Sequence, residues 1–227
     1  MSSSVAAPPP PDVVTLADPQ SPAAEAYRTL RTNIQFSSLE KPVRRLLLTS
    51  AGPDEGKSLA VANLAVAMAQ AELRVIVADC DLRNPCLHEL FRVPNTEGLS
   101  TMFLGRSGGA AGLGAATHME PPLQRTAVPG LSVLTSGPTP PNPAELLGSQ
   151  RMESILEELA HRADIVLLDS PPVVAVTDAA VLSAKVDACL LVVGAGIAKR
   201  DQVKKARAAL EAVHANVIGV VVSNAEP

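Results

Sequence analysis

The segment Ala51-Gly52-Pro53-Asp54-Glu55-Gly56-Lys57-Ser58 stands between a short apolar run, Arg44–Ser50, and an Ala/Leu/Val/Met-rich stretch, Ser58–Ala71. Few features restrict a fold more. A glycine-containing loop that closes on Gly-Lys-Ser, entered from a buried strand and left through a buried helix, is a P-loop. Its backbone N–H groups gather at a helix N-terminus, where the dipole favours negative charge, so the loop suits phosphate. Gly52, Pro53, Asp54, Glu55, Gly56, Lys57, Ser58 and Leu59 are therefore the candidate nucleotide-binding residues. Lys57 is placed to reach the β- and γ-phosphates, and the Ser58 hydroxyl to hold Mg²⁺. Ala51 stands where the motif has its first glycine. Asp54 sits at a position where positive φ is favoured, which Asp tolerates better than most residues. Its carboxylate, unwelcome beside phosphate, is expected to face solvent.

The rest of the chain repeats the alternation. Leu73–Ala78, Leu131–Thr135, Ile165–Leu168, Ala188–Val193 and Val217–Val222 read as strands. Helical spacing begins near Ala23 and returns in Ala144–Leu147, Met152–Ala160, Thr177–Ala184 and Asp201–Val213, with one or two turns over Pro85–Phe91. Continuously apolar strands alternating with helices predict an α/β fold, a parallel sheet with helices on both faces. Residues 1–22 are polar and Pro-rich and are expected to form a disordered tail, leaving 23–227 as one domain. Leu104–Pro122, with five glycines, is expected to be a mobile loop.

Two further acidic sites follow the P-loop. Asp79-Cys80-Asp81 ends the second strand, and carboxylates there project into the crevice where open α/β sheets bind ligands. They suit Mg²⁺, which takes oxygen ligands from one or two carboxylates and water. Ile165–Leu168 runs apolar into Asp169, the Walker B arrangement, in which the carboxylate holds Mg²⁺ or its water. The candidate metal ligands are Ser58, Asp79 and Asp169.

Composition excludes other classes. Aromatic residues make up 2% of the chain, with no Trp, so stacking platforms for bases are nearly absent. A formal net charge of −4 leaves no basic footprint for nucleic acid. Cys80, Cys86 and Cys189 have no zinc spacing and read as reduced intracellular thiols. The longest apolar stretch, Val173–Ala198, is broken by Asp178, Lys185 and Asp187, so no membrane span is expected. A cytoplasmic protein is expected, held at the membrane by a partner if it works there.

Together these residues resemble the bacterial tyrosine kinases of capsule and exopolysaccharide systems. Glu25-Ala26-Tyr27-Arg28-Thr29-Leu30-Arg31 is similar to the family's E-x-x-R-x-x-R motif, Thr49–Ser58 to its Walker A, and Asp79–Pro85 to its Walker A′. Pro140–Leu147, and Leu168–Pro172 with Val176–Ala179, resemble two further family stretches. The resemblance covers about Glu25 to Val222. It implies transfer of the γ-phosphate of MgATP to protein tyrosine in trans, with Lys57, Asp79 and Asp81 catalytic. Asp81 is the candidate proton acceptor, although Asp79 and Asp81 are exchangeable at this level. It also implies a transmembrane polysaccharide co-polymerase as activator and ring-like self-association through Glu25, Arg28 and Arg31. Within one helix, Glu25 and Arg28 could instead form a simple i, i+3 pair.

Two departures stand out. The family usually ends in a Tyr-rich tail, whereas Tyr27 is the one tyrosine here. Either the tail is lost, or the sequence is shortened, or the substrate is another protein. The family often reads adenine with an Asn directly after its last strand; here Ser223 intervenes before Asn224. Two other functions stay open: a regulatory ATPase of the ParA/MinD type, and a nucleotide-binding partner of a co-polymerase without kinase activity. Gly52 stands where the first of these carries a signature Lys.

Overall fold

The structure is a computed structural model that describes residues 13–37, 42–104 and 120–225. The chain opens with α1 (Val14–Ala17) and α2 (Pro22–Phe36), then runs β1 (Arg45–Ser50), α3 (Lys57–Ala69), β2 (Val75–Asp79), α4 (Leu87–Phe91) and α5 (Leu99–Leu104). It continues through β3 (Gln124–Arg125), β4 (Leu131–Leu134), α6 (Pro143–Gly148), α7 (Gln150–Arg162) and β5 (Ile165–Asp169). It closes with α8 (Asp178–Ser183), β6 (Ala188–Gly194), α9 (Arg200–Ala212) and β7 (Val217–Ser223).

Among the described residues the strands form one seven-stranded sheet in the order β3-β4-β2-β5-β1-β6-β7. Every pairing is parallel except β3 with β4. Helices cover both faces because each central strand is apolar on both. On β1, Leu46 and Leu48 join the core beneath α3, while Leu47 enters the opposite core with Met152, Ile155, Leu156 and Leu159 of α7. That is the period-two alternation of a strand buried on both sides. Such a fully buried Leu contributes about 1.5–3 kcal/mol through removal of apolar surface from water.

Helix α3 is buried on nearly all sides, from Ala60 to Ala69, because it lies between the sheet and α1–α2. Its one polar interior residue, Asn63, is satisfied. Asn63 Oδ1 accepts from Thr15 N at 2.9 Å and Thr15 Oγ1 at 3.0 Å, and its Nδ2 donates to Leu59 O at 2.9 Å.

The tail expected over residues 1–22 is corrected here. Val13 is fully buried, Thr15 is latched to α3, and α2 begins at Pro22 with Ser21 as its N-cap. Proline-rich composition hid a short segment that a buried hydrogen-bond pair holds in place. Residues 1–12 lie outside the described residues, as does most of the glycine-rich segment expected to be a loop. The two-residue antiparallel strand β3 and the short helix α5 were not expected from the sequence, since neither is long enough to show a period.

Candidate functional site

The chemistry-bearing residues gather at the carboxyl ends of three adjacent strands. β1 ends at Ser50 and enters the P-loop; β2 ends at Asp79 and β5 at Asp169, and Asp79 and Asp169 lie directly beside each other in the parallel register. The turn into α3 needs Gly56 because its φ is +72°, a backbone conformation that residues with a Cβ rarely adopt. Lys57 is the first residue of α3, so its side chain crosses the strand ends.

Lys57 Nζ donates to Asp169 Oδ1 at 2.5 Å and to Ser58 Oγ at 3.1 Å, and lies 3.8 Å from Asp81 Oδ2. Lys57 is only 8% exposed and Asp169 fully buried. Burial works against the Lys57 charge, but the Asp169 and Asp81 carboxylates together outweigh it and hold the lysine above its ordinary pKa. Asp169 Oδ2 is buried without a partner.

Asp79 and Asp81, interchangeable in the sequence, are separated by the structure. Asp79 is fully buried; its Oδ2 accepts from Cys86 N at 3.1 Å and Leu87 N at 3.0 Å, and its Oδ1 from Asp81 N at 3.2 Å. It thereby shapes the loop to α4 and presents Asp81. Burial, with the Asp169 carboxylate beside it, pushes Asp79 up to about 8. Asp81 lines the cleft, its Oδ1 accepting from Asn84 N at 3.0 Å. Burial raises Asp81 above the usual carboxylate range, against the opposing charge of Lys57.

The cleft holds about 500 Å³. Residues 52–59 form one wall; Asp81, Cys86 and Pro172 stand among those opposite. Pro53 and Asp54 are exposed, Asp54 with φ +59°, so its carboxylate faces solvent. Glu55 turns inward instead and is 2% exposed. Asn224 is exposed beside the loop: its Oδ1 lies 3.8 Å from where a Cβ on Gly56 would stand, so the one-residue offset does not carry it away from the P-loop. The Cys86 thiol is pushed up to about 11 by burial, which leaves it protonated at neutral pH.

Sequence reasoning missed a clamp between the loop after β2 and the start of α8. Arg83, just after Asp81, pairs through both ends of its guanidinium with the fully buried Asp178 at the start of α8, at 2.9 and 3.0 Å. Both residues sat in the quoted motifs, but nothing in the sequence says that the two loops face each other. The E-x-x-R-x-x-R residues do not share one free face. Arg28 pairs with Glu25 at 2.6 Å within α2, whereas Arg31 donates to Ala67 O of α3 at 2.9 Å.

A divalent ion fits what the residues offer. Its donors would be Ser58 Oγ and the orphaned Asp169 Oδ2, both hard oxygens. Asp79, expected to hold the ion directly or through water, already receives three backbone N–H bonds and stands beside Asp169. Among the described residues no three His, Cys, Asp or Glu side chains form a closed metal cage.

The chain is similar to known proteins over most of its length. Residues 46–227 match the family described as the CobQ/CobB/MinD/ParA nucleotide binding domain. The chain is 39% identical over 212 residues to the tyrosine-protein kinase YwqD of Bacillus subtilis, covering 93% of this chain and 85% of that one. It is 38% identical over 205 residues to the putative tyrosine-protein kinase CapB of Staphylococcus aureus, covering 90% and 86%. Among solved structures, the kinase domain of the Escherichia coli tyrosine kinase ETK superposes with a TM-score of 0.86 at 33% identity, covering 95% of this chain and 80% of that one.

Proposed function

The chain belongs to the bacterial tyrosine kinases of the CobQ/CobB/MinD/ParA nucleotide-binding family, and from that premise we propose that it transfers the γ-phosphate of ATP to a protein tyrosine. The observation that carries the reading is Lys57, held between the carboxylates of Asp169 and Asp81 at the mouth of the P-loop cleft. One cation and one proton acceptor thus stand within reach of a phosphate bound at residues 52–59.

Lys57 exchanges Asp169 for the phosphate oxygens and offsets charge as the γ-phosphoryl departs. Ser58 and Asp169 would hold Mg²⁺, with Asp79 beside Asp169; the ion would supply neutralisation of charge on the phosphate oxygens. Asp81 accepts the tyrosine proton: of the strand-end carboxylates Asp79, Asp81 and Asp169, it is the one that lines the cleft, and its raised pKa makes it a better base than an ordinary aspartate. The Arg83–Asp178 pair holds the loop that carries Asp81 against α8. Asn224 serves the base side. Tyr27 packs against the core from α2 and is not offered to the cleft as an acceptor.

The setting we infer is a capsule or exopolysaccharide system, with a membrane-spanning co-polymerase as activator and Glu25, Arg28 and Arg31 in self-association. No helix among the described residues is long and apolar enough to cross a membrane, which fits recruitment by such a partner.

The test is direct. Purified protein, with and without the cytoplasmic segment of its co-polymerase, is incubated with Mg²⁺ and γ-labelled ATP beside a tyrosine-bearing acceptor. Label on tyrosine, lost in Lys57→Met, supports the kinase. ATP turnover with no phosphotyrosine on any acceptor points to a regulatory ATPase instead, and binding without turnover to an assembly partner.

A further inference from the structure

Glu55 is a buried carboxylate with no part in the mechanism above. Its Oε1 accepts from Gly52 N at 2.6 Å, within the P-loop, and its Oε2 accepts from Gly194 N at 3.2 Å, at the end of β6. Its main-chain oxygen accepts from Ser223 Oγ, at the end of β7, at 2.5 Å. Three bonds therefore join one loop residue to its own loop and to the last residues of two strands. The strand end is cut to fit: a Cβ on Gly194 would lie 3.2 Å from Glu55 Cα. The next residue after Ser223 is Asn224, beside Gly56.

We propose that Glu55 is the positioning residue of the phosphate loop, tying it to the carboxyl ends of β6 and β7 so that nucleotide meets a loop already in shape. The proposal rests on the reading of the cleft as an ATP site and goes beyond it. Gly52, which lines the cleft, gives its N–H to Glu55, so the carboxylate fixes the first turn of the loop from within. A free loop of this glycine content samples many shapes, and selecting one on binding costs affinity. A carboxylate serves because it accepts from two amides at once, and charge-assisted bonds of this kind are short and strong. A glutamine has the length but not the acceptors: its amide nitrogen would face one of the two N–H groups.

The test uses the full chain, ¹⁵N-labelled, as parent and as Glu55→Gln. Binding of Mg-ATP and of Mg-tripolyphosphate is measured by calorimetry, apo thermal stability by calorimetric scan, and the Gly52 and Gly194 amide protons by NMR. Glu55→Gln is expected to weaken both ligands about tenfold, since both meet the same loop, while the apo melting temperature falls by about 2–8 °C and the chain stays folded at the binding temperature. The two amide protons, downfield in the parent, move upfield. Ser223→Ala, which removes one tether and leaves the carboxylate, gives a smaller loss of about threefold and covers the case in which Glu55→Gln fails to fold. Unchanged affinity for tripolyphosphate in Glu55→Gln, or unmoved amide protons, overturns the proposal. A parent that binds neither ligand overturns the ATP reading instead, and the amide shifts still decide the tie.

Discussion

At Asp169 one carboxylate oxygen is paired with Lys57 and the other has no partner, so the P-loop lysine has a structural as well as a chemical role. Sequence alone turns Lys57 towards ligand and predicts little effect of its loss on the fold. The structure predicts otherwise: Lys57→Met leaves a buried carboxylate uncompensated and should cost about 3 kcal/mol. Urea unfolding of the apo protein measures this, and Lys57→Met/Asp169→Asn should regain most of the loss; a single variant as stable as the parent would refute it. Phosphotransfer should be abolished in both. Asp79 gives a pH dependence. Its pKa rises from 3.8 to about 8 on folding, so between those values the folded chain binds more protons than the unfolded one. Stability contributed by this group is therefore present below pH 4 and lost as pH climbs towards 8. The apo melting temperature of the parent should fall from pH 5 to pH 8 more steeply than that of Asp79→Asn; parallel profiles would contradict the assignment.

The latch between α1 and α3 is the element-scale counterpart. Asn63 sits in an otherwise apolar helix and receives two bonds from Thr15, so Asn63→Ala strands a buried backbone N–H. A loss of about 1–3 kcal/mol is expected in chemical denaturation, and Thr15→Val, which keeps the N–H bond, should lose less. Equal stability of Asn63→Ala and parent would show that the latch contributes nothing. These elements also mark what the sequence made legible. β1, β2, β5, β6 and α3 could be read because their apolar runs have strand or helix length between clear breakers. Residues 13–17 could not, because their burial depends on a partner far along the chain. The same holds for the site. Lys57, Asp81 and Asp169 were legible from local motifs, whereas the backbone-anchoring role of Asp79, the Arg83–Asp178 clamp and the inward turn of Glu55 each depend on a residue met only after folding.

For the whole molecule, the first question is association. Arg31 is committed to the carbonyl of Ala67 near the end of α3, where a cation also suits the helix dipole, so its replacement disturbs the fold as well as any interface. Glu25→Ala/Arg28→Ala is the cleaner variant: the exposed pair contributes about 0.2–0.5 kcal/mol within α2. If these residues bridge subunits, light scattering should show a parent oligomer reduced to monomer with little change in stability; equal masses would leave an intrahelical pair. A second property follows from the strand order. β1, which leads into the P-loop, sits between β5 and β6, so Leu48 is registered against Asp169 on one side and Leu190 on the other. A ribosome delivers β1 early and both of its neighbours more than a hundred residues later, at roughly 5–20 residues per second. For several seconds the growing chain carries the phosphate loop with no sheet to hold it, and β2 can meet only β4. Nascent chains arrested before residue 165 should therefore fail to retain on an ATP resin, and the ability should arrive late and abruptly, once β6 has cleared the exit tunnel. Until then, a chain of this order leaves its apolar central strand in the care of whatever chaperone attends the tunnel mouth.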